Sequence, residues 1–69
     1  MANYLINQKP DEKGLNEVHN TTCAHLPDKF NQVNLGSHDN EIAAVDYAKR
    51  HGWPNADGCY HCCPKAHRG

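Results

Sequence analysis

The chain has 69 residues, of which 7% are aromatic, and its 7 Lys and Arg residues nearly balance 8 Asp and Glu residues to give a net charge of −1 at pH 7. This charge excludes the basic surplus that is typical of a non-specific nucleic-acid binder, and it provides no polybasic face for a membrane surface. A chain of this length forms one domain at most, and a core of this size contributes only about 3–5 kcal/mol to folding stability. A further cross-link, such as a disulfide or a bound metal ion, is therefore needed.

The cysteines and histidines are the candidates for that cross-link, because the chain contains 4 Cys and 6 His. The first residues, MANYLINQKPDEK, lack the basic start and the apolar stretch of a secretory signal peptide, and no apolar run is long enough to span a membrane. We therefore expect a cytoplasmic protein. Thiols are kept reduced in that compartment, so a cysteine cluster there is typical of metal binding or redox chemistry rather than of disulfides.

Three segments are predicted to form strands. Residues 3–7 (NYLIN) are apolar and short, and residues 15–19 (LNEVH) follow the turn-forming stretch QKPDEKG, so they can return antiparallel to the first strand. Residues 29–36 (KFNQVNLG) form a third possible strand with imperfect alternation.

The segment SHDNEIAAVDYAKRHG is predicted to form an amphipathic helix. Ser37 and Asp39 are candidate N-caps, Asp46 and Arg50 form an i, i+4 pair, and Gly52 is the expected residue after the helix end. Apolar residues recur at helical spacing and predict one buried stripe: Ile42, Ala44, Val45 and Ala48. The predicted fold class is therefore α+β, with a small antiparallel sheet of two or three strands and one helix.

Two pairs of candidate ligands predict a single zinc site. Cys59 and Cys62 form a C-x2-C pair that brings two sulfur atoms onto one ion across a tight turn. Zinc prefers four ligands in a tetrahedron, and His19 and Cys23 supply a second pair with H-x3-C spacing. The sequence thus predicts that residues 1–69 form one small domain, closed by Zn²⁺ at a Cys3His site.

The identity of the fourth ligand stays open between His19 and His67. The spacing from Cys59 and Cys62 to His67 matches the first three ligands of a zinc knuckle. If His67 ligates, the C-terminal residues belong to the folded domain; if His19 ligates, residues 64–69 can form a frayed tail. A Cys3His set also leaves iron open in place of zinc.

The remaining cysteine and histidines near these pairs have simpler interpretations. Cys63 follows directly after a ligand cysteine and cannot easily reach the same ion, so we expect a buried or idle thiol. His25 lies only two residues from Cys23, a spacing less common for one ion, and His61 is expected to point away from the metal. A disulfide pair and a redox C-x-x-C remain alternatives, although the redox motif needs a βαβ fold that this chain is too short to build.

The order of these motifs resembles the zinc-binding N-terminal domain of the Ada family of DNA-repair methyltransferases. That family has C-x3-C, a polar stretch with proline, an Asn-rich strand, a short helix and C-x2-C followed by Pro; here His19 to Cys23, then NQVNLGSHDNEIAAVDYAKRHGW and CYHCCP, follow that order over residues 17–64. The resemblance implies a metal site and a similar fold. In that family a zinc-bound thiolate accepts a methyl group from a DNA phosphotriester.

This chain departs from the family pattern in ways that argue against methyl transfer. His19 replaces the first cysteine, the spacer is longer, and the basic residues around the last C-x2-C are absent. Three thiolates and an imidazole carry one negative charge fewer than four thiolates, so sulfur should be less nucleophilic. We predict a non-enzymatic zinc-stabilised binding or interaction module with a protein partner, weak or no nucleic-acid binding and no membrane contact. The alternative is an Ada-like DNA-binding or methyl-accepting accessory protein, and an enzyme proper ranks third.

Overall fold

A four-stranded mixed sheet and one α-helix make up the regular structure of the computed structural model, which describes residues 2–68. The elements in chain order are β1 (Ala2–Asn7), β2 (Asn16–Asn20), β3 (Gln32–His38), α1 (Glu41–Arg50) and β4 (Ala56–Gly58), with short 3-10 turns at Lys29–Asn31 and Pro64–Ala66. The strand order is β3-β1-β2-β4. The predicted α+β class is confirmed.

The most apolar strand, β1, lies inside the sheet and pairs antiparallel with both β2 and β3. Tyr4, Leu5 and Ile6 are all buried, since β1 has a neighbouring strand on each side and Tyr4 and Ile6 face the core. Ile6 pairs with Val18, and Leu5 pairs with His19. All three predicted strands are present, but the third begins at Gln32 rather than at residue 29, since Lys29–Asn31 forms a 3-10 turn. The register of β1 with β2 places His19 next to a central strand.

The fourth strand was not predicted from the sequence. β4 has the sequence ADG, which lacks the β-branched and aromatic residues that favour strands. It forms because it pairs in parallel with β2, with Val18 opposite Gly58. The sheet is therefore mixed rather than purely antiparallel, and the pairing carries the chain into Cys59 beside β2.

The helix begins later than the two predicted caps. Its N-cap is Asn40, whose side-chain oxygen accepts a hydrogen bond of 2.8 Å from the Ala43 N–H. Ser37 lies in β3 instead, and Asp39 precedes the cap. Gly52 has a φ of 97°, as expected for the residue that reverses the chain after a helix.

The helix packs its small residues against the sheet. Ala44, Val45 and Ala48 are buried as predicted, but Ile42 is 52% exposed, which corrects its assignment to the buried stripe. Ile42 lies in the first turn, where it lines a shallow surface depression rather than the core. The predicted pair between Asp46 and Arg50 is present at 3.3 Å. No helix within residues 2–68 is long and apolar enough to cross a membrane.

Candidate metal centre

Four side chains from separate parts of the chain converge at one edge of the domain. His19 comes from β2, Cys23 from the following loop, Cys59 from the end of β4 and Cys62 from the turn after it. Their ligand atoms all lie within 4.8 Å of one another, and the group could hold a metal ion. Sulfur atoms around a tetrahedral zinc ion lie about 3.8 Å apart, since each Zn–S bond is about 2.3 Å.

Backbone hydrogen bonds place the cysteine turn against β2. The Cys59 N–H donates to the Val18 carbonyl at 2.9 Å, which extends the β2–β4 pairing by one residue. The Cys63 N–H then donates to the Cys59 carbonyl at 2.8 Å and closes the turn. Gly58 precedes this turn because a Cβ atom there would lie 2.6 Å from the Cys63 carbonyl oxygen. The backbone itself therefore orients the two C-x2-C sulfurs toward β2.

Two main-chain amides donate to the candidate ligand sulfurs. The Asn20 N–H lies 3.3 Å from the Cys62 Sγ atom, and the His25 N–H lies 3.4 Å from the Cys23 Sγ atom. A hydrogen bond from an N–H group is stronger when its acceptor is ionised than when it is neutral. These amides therefore favour the thiolate form that a metal ion requires.

The ring of His19 has a defined orientation. Its Nδ1 atom lies 3.9 Å from the Cys62 Sγ atom, whereas its Nε2 atom lies 3.7 Å from the Glu17 carboxylate. Ligation through Nδ1 would leave the proton on Nε2, on the side that faces Glu17. A carboxylate behind a metal-bound histidine is a common supporting arrangement, since it orients the ring and raises its basicity.

Burial acts on the protonation states of the metal-free site. It lowers the pKa of His19 below its usual 6.5, with a smaller contribution from the positive charge that His25 can carry. Burial raises the pKa of Cys62, and the Asn20 amide opposes that effect only in part. The metal-free site therefore favours a neutral imidazole, which can ligate as it is, and a neutral Cys62 thiol, which must first lose its proton.

His67, the alternative fourth ligand, does not join this group. Its Nδ1 atom lies 3.0 Å from the Gly58 carbonyl oxygen and 3.4 Å from the Asp57 carboxylate. The Arg68 N–H also donates to Asp57, at 2.8 Å. The Glu41 carboxylate accepts hydrogen bonds from two main-chain N–H groups of the 3-10 turn at Pro64–Ala66. Residues 64–68 thus contact both β4 and the start of α1.

Cys63 is a buried thiol, as expected. Its side chain is fully buried in the hydrophobic core, and its Sγ atom lies 3.6 Å from that of Cys62. All four cysteines are free thiols.

His25 and His61 lie together at the mouth of the site, which the sequence did not indicate. Their rings stack with centroids 3.9 Å apart and planes inclined by 23°. Both line a surface pocket of about 410 Å³ that also contains Cys23 and Cys62. The two histidines are 36 positions apart, so only the folded chain brings them together.

Searches against protein-family models, curated proteins and solved structures find no match. By its own fold and site, the chain is a small α+β domain with a candidate Cys3His metal centre. The resemblance to the Ada family stays a prediction.

Proposed function

We propose that this chain is a non-enzymatic binding module whose fold is stabilised by one structural Zn²⁺ ion at His19, Cys23, Cys59 and Cys62. The observation that carries the proposal is the convergence of these four ligand atoms within 4.8 Å. Thiolate and imidazole are ligands that zinc accepts in a tetrahedral site.

The number of protein ligands supports a structural role for the ion. Catalytic zinc sites keep one position open for water or substrate, whereas structural sites use four protein ligands. Here all four positions would be filled by side chains. An ion held in this way stabilises the fold and leaves no vacant position for a reacting group.

The energetics of a small domain point the same way. A core of this size contributes about 3–5 kcal/mol. Structural zinc sites contribute apparent binding free energies of about 10–16 kcal/mol in small domains. The ion would join β2 to the C-terminal turn, so its binding energy would act on most of the chain.

The binding role is supported by large apolar side chains that the fold leaves exposed. Phe30 is 93% exposed and Tyr60 is 66% exposed. Aromatic residues are enriched at protein–protein interfaces, where a partner buries them. A protein partner is therefore proposed in preference to a nucleic acid, which the net charge of −1 disfavours.

Metal analysis and thiol counting on natively purified protein test this function. We expect one zinc ion per chain. After unfolding in the presence of a chelator, four free thiols should be detected without added reducing agent. Cys62→Ala should lose the metal, whereas Cys63→Ala, the matched neighbour, should retain it. Two disulfides with no metal would refute the proposal, and stoichiometric iron would keep the site but change the ion.

A further inference from the structure

The histidines of this protein fall into two groups by what their ring nitrogens contact. Four of them place a ring nitrogen against another protein atom: His19, His38, His51 and His67. Within residues 2–68, His25 and His61 have no hydrogen bond or ion pair at their ring nitrogens. These two imidazoles are also the pair that stacks at the pocket mouth. Their ligating atoms are thus available to an external group.

The surroundings of this pair suit a cation-binding role. His25 is exposed on the loop after β2, and His61 is exposed on the cysteine turn, where the Tyr60 ring contacts it edge-on at 5.4 Å. The pocket that they line also contains Cys23 and Cys62. In the zinc-loaded centre, three thiolates exceed the charge of the ion by one, so the net negative charge beside the pocket favours a second cation.

We infer that His25 and His61 together form a second, exchangeable site for a divalent transition-metal ion at the mouth of the Cys3His pocket. The inference rests on the proposed function, because the loaded centre holds the two segments together. Neutral imidazole is a preferred ligand of zinc, nickel and copper. The ring centroids are 3.9 Å apart and both side chains are exposed. Because the nitrogen lone pairs lie in the planes of the two stacked rings, the side chains must rotate out of the stack to direct both nitrogens at one ion, and their exposure leaves them free to do so.

The ligand count determines how this second site differs from the first. Two imidazoles leave the remaining coordination positions to water, so the ion binds more weakly and exchanges faster than one held by four side chains. The pocket connects this ion directly with Cys23 and Cys62. The second ion would therefore lie directly beside the Cys3His centre.

Nickel titration of the zinc-loaded chain tests the inference, because Ni²⁺ favours imidazole over a filled thiolate site. We expect one Ni²⁺ equivalent beyond the bound zinc, measured by calorimetry. His25→Ala and His61→Ala should each weaken Ni²⁺ binding about tenfold or more while retaining the structural zinc. His51→Ala is the matched control, since His51 is also exposed and stacked, on Tyr47, and should bind Ni²⁺ like the wild type.

A second measurement uses the unmodified chain, so it does not depend on how the variants fold. Ni²⁺ should broaden the ring NMR signals of His25 and His61 at lower concentrations than those of His51. No additional Ni²⁺ equivalent, or equal binding by both variants and the wild type, would overturn the inference. A chain that binds no first zinc would instead refute the proposed function.

Discussion

The Nδ1 atom of His19 lies 3.9 Å from the Sγ atom of Cys62, although the two residues are 43 positions apart in the sequence. This contact links the end of β2 to the turn after β4. An ion held there would close a loop that includes most of the domain. Loss of a ligand should therefore affect folding of the whole chain rather than one turn.

Replacement of His19 should have a far larger effect than replacement of His67. We expect His19→Ala to abolish tight zinc binding and the cooperative thermal transition, because the domain depends on the ion for stability. His67→Ala removes a hydrogen bond to Gly58 and should cost only about 1 kcal/mol, with the zinc stoichiometry unchanged. Zinc competition assays and thermal melting of the two variants provide the comparison. A near-wild-type melt for His19→Ala would exclude it as a ligand.

Glu17 should support the metal through His19 without touching it. Its carboxylate lies 3.7 Å from the His19 Nε2 atom, so Glu17→Gln removes the charge that favours the ligating tautomer. We expect zinc affinity to fall about tenfold, at the lower end of the range for such supporting residues. Glu12→Gln removes an exposed carboxylate outside the site and serves as the control. Equal affinities of the two variants would exclude the supporting role.

Zinc binding should become tighter as the pH rises. The raised pKa of Cys62 keeps its thiol protonated at neutral pH, and each thiol ligand must release a proton when the metal binds. The apparent affinity should increase by up to about three orders of magnitude per pH unit near neutrality, because three thiols ionise. Calorimetry in buffers with different ionisation enthalpies counts the protons. An affinity that does not depend on pH would rule out thiolate ligation.

Gly58 should tolerate no side chain. A Cβ atom there would lie 2.6 Å from the Cys63 carbonyl oxygen and 2.8 Å from the Ala66 main chain, and backbone atoms cannot move aside easily. We expect Gly58→Ala to cost about 1–3 kcal/mol and to change the absorption spectrum of the Co²⁺-substituted protein. Gly14→Ala is the control, since its position is open and only its φ of 80° is unfavourable. It should lower stability but leave the Co²⁺ spectrum unchanged.

Nucleic-acid binding should be weak and sensitive to salt. The net charge is −1, and the residues between the C-x2-C cysteines are Tyr60 and His61 rather than Lys or Arg. We expect dissociation constants no lower than the non-specific range of about 10⁻⁴–10⁻⁶ M near physiological salt. Fluorescence anisotropy with labelled duplex and single-stranded DNA measures this. Sub-micromolar binding would favour the Ada-like alternative instead.

Local patterns in the sequence were sufficient to predict three strands and one helix. The apolar run of β1 and the helical spacing of Ala44, Val45 and Ala48 each reflect contacts that neighbouring residues make together. Local patterns did not identify Asn40 as the N-cap of the helix, and they did not predict β4. Several capping residues lie in a row before the helix, and the choice among them depends on where β3 ends. β4 forms through its pairing with β2, since its own sequence does not favour a strand.

The spacing of His19 with Cys23 and of Cys59 with Cys62 indicated by itself two pairs of potential metal ligands, because residues three or four apart are held close by the chain. Only the tertiary structure decided that these two pairs meet, that His67 turns toward Gly58, and that His25 stacks on His61. Each of these contacts joins residues that are distant in the sequence, so spacing along the chain does not reveal it. They depend on the parallel pairing of β2 with β4, which brings the cysteine turn beside the end of β2.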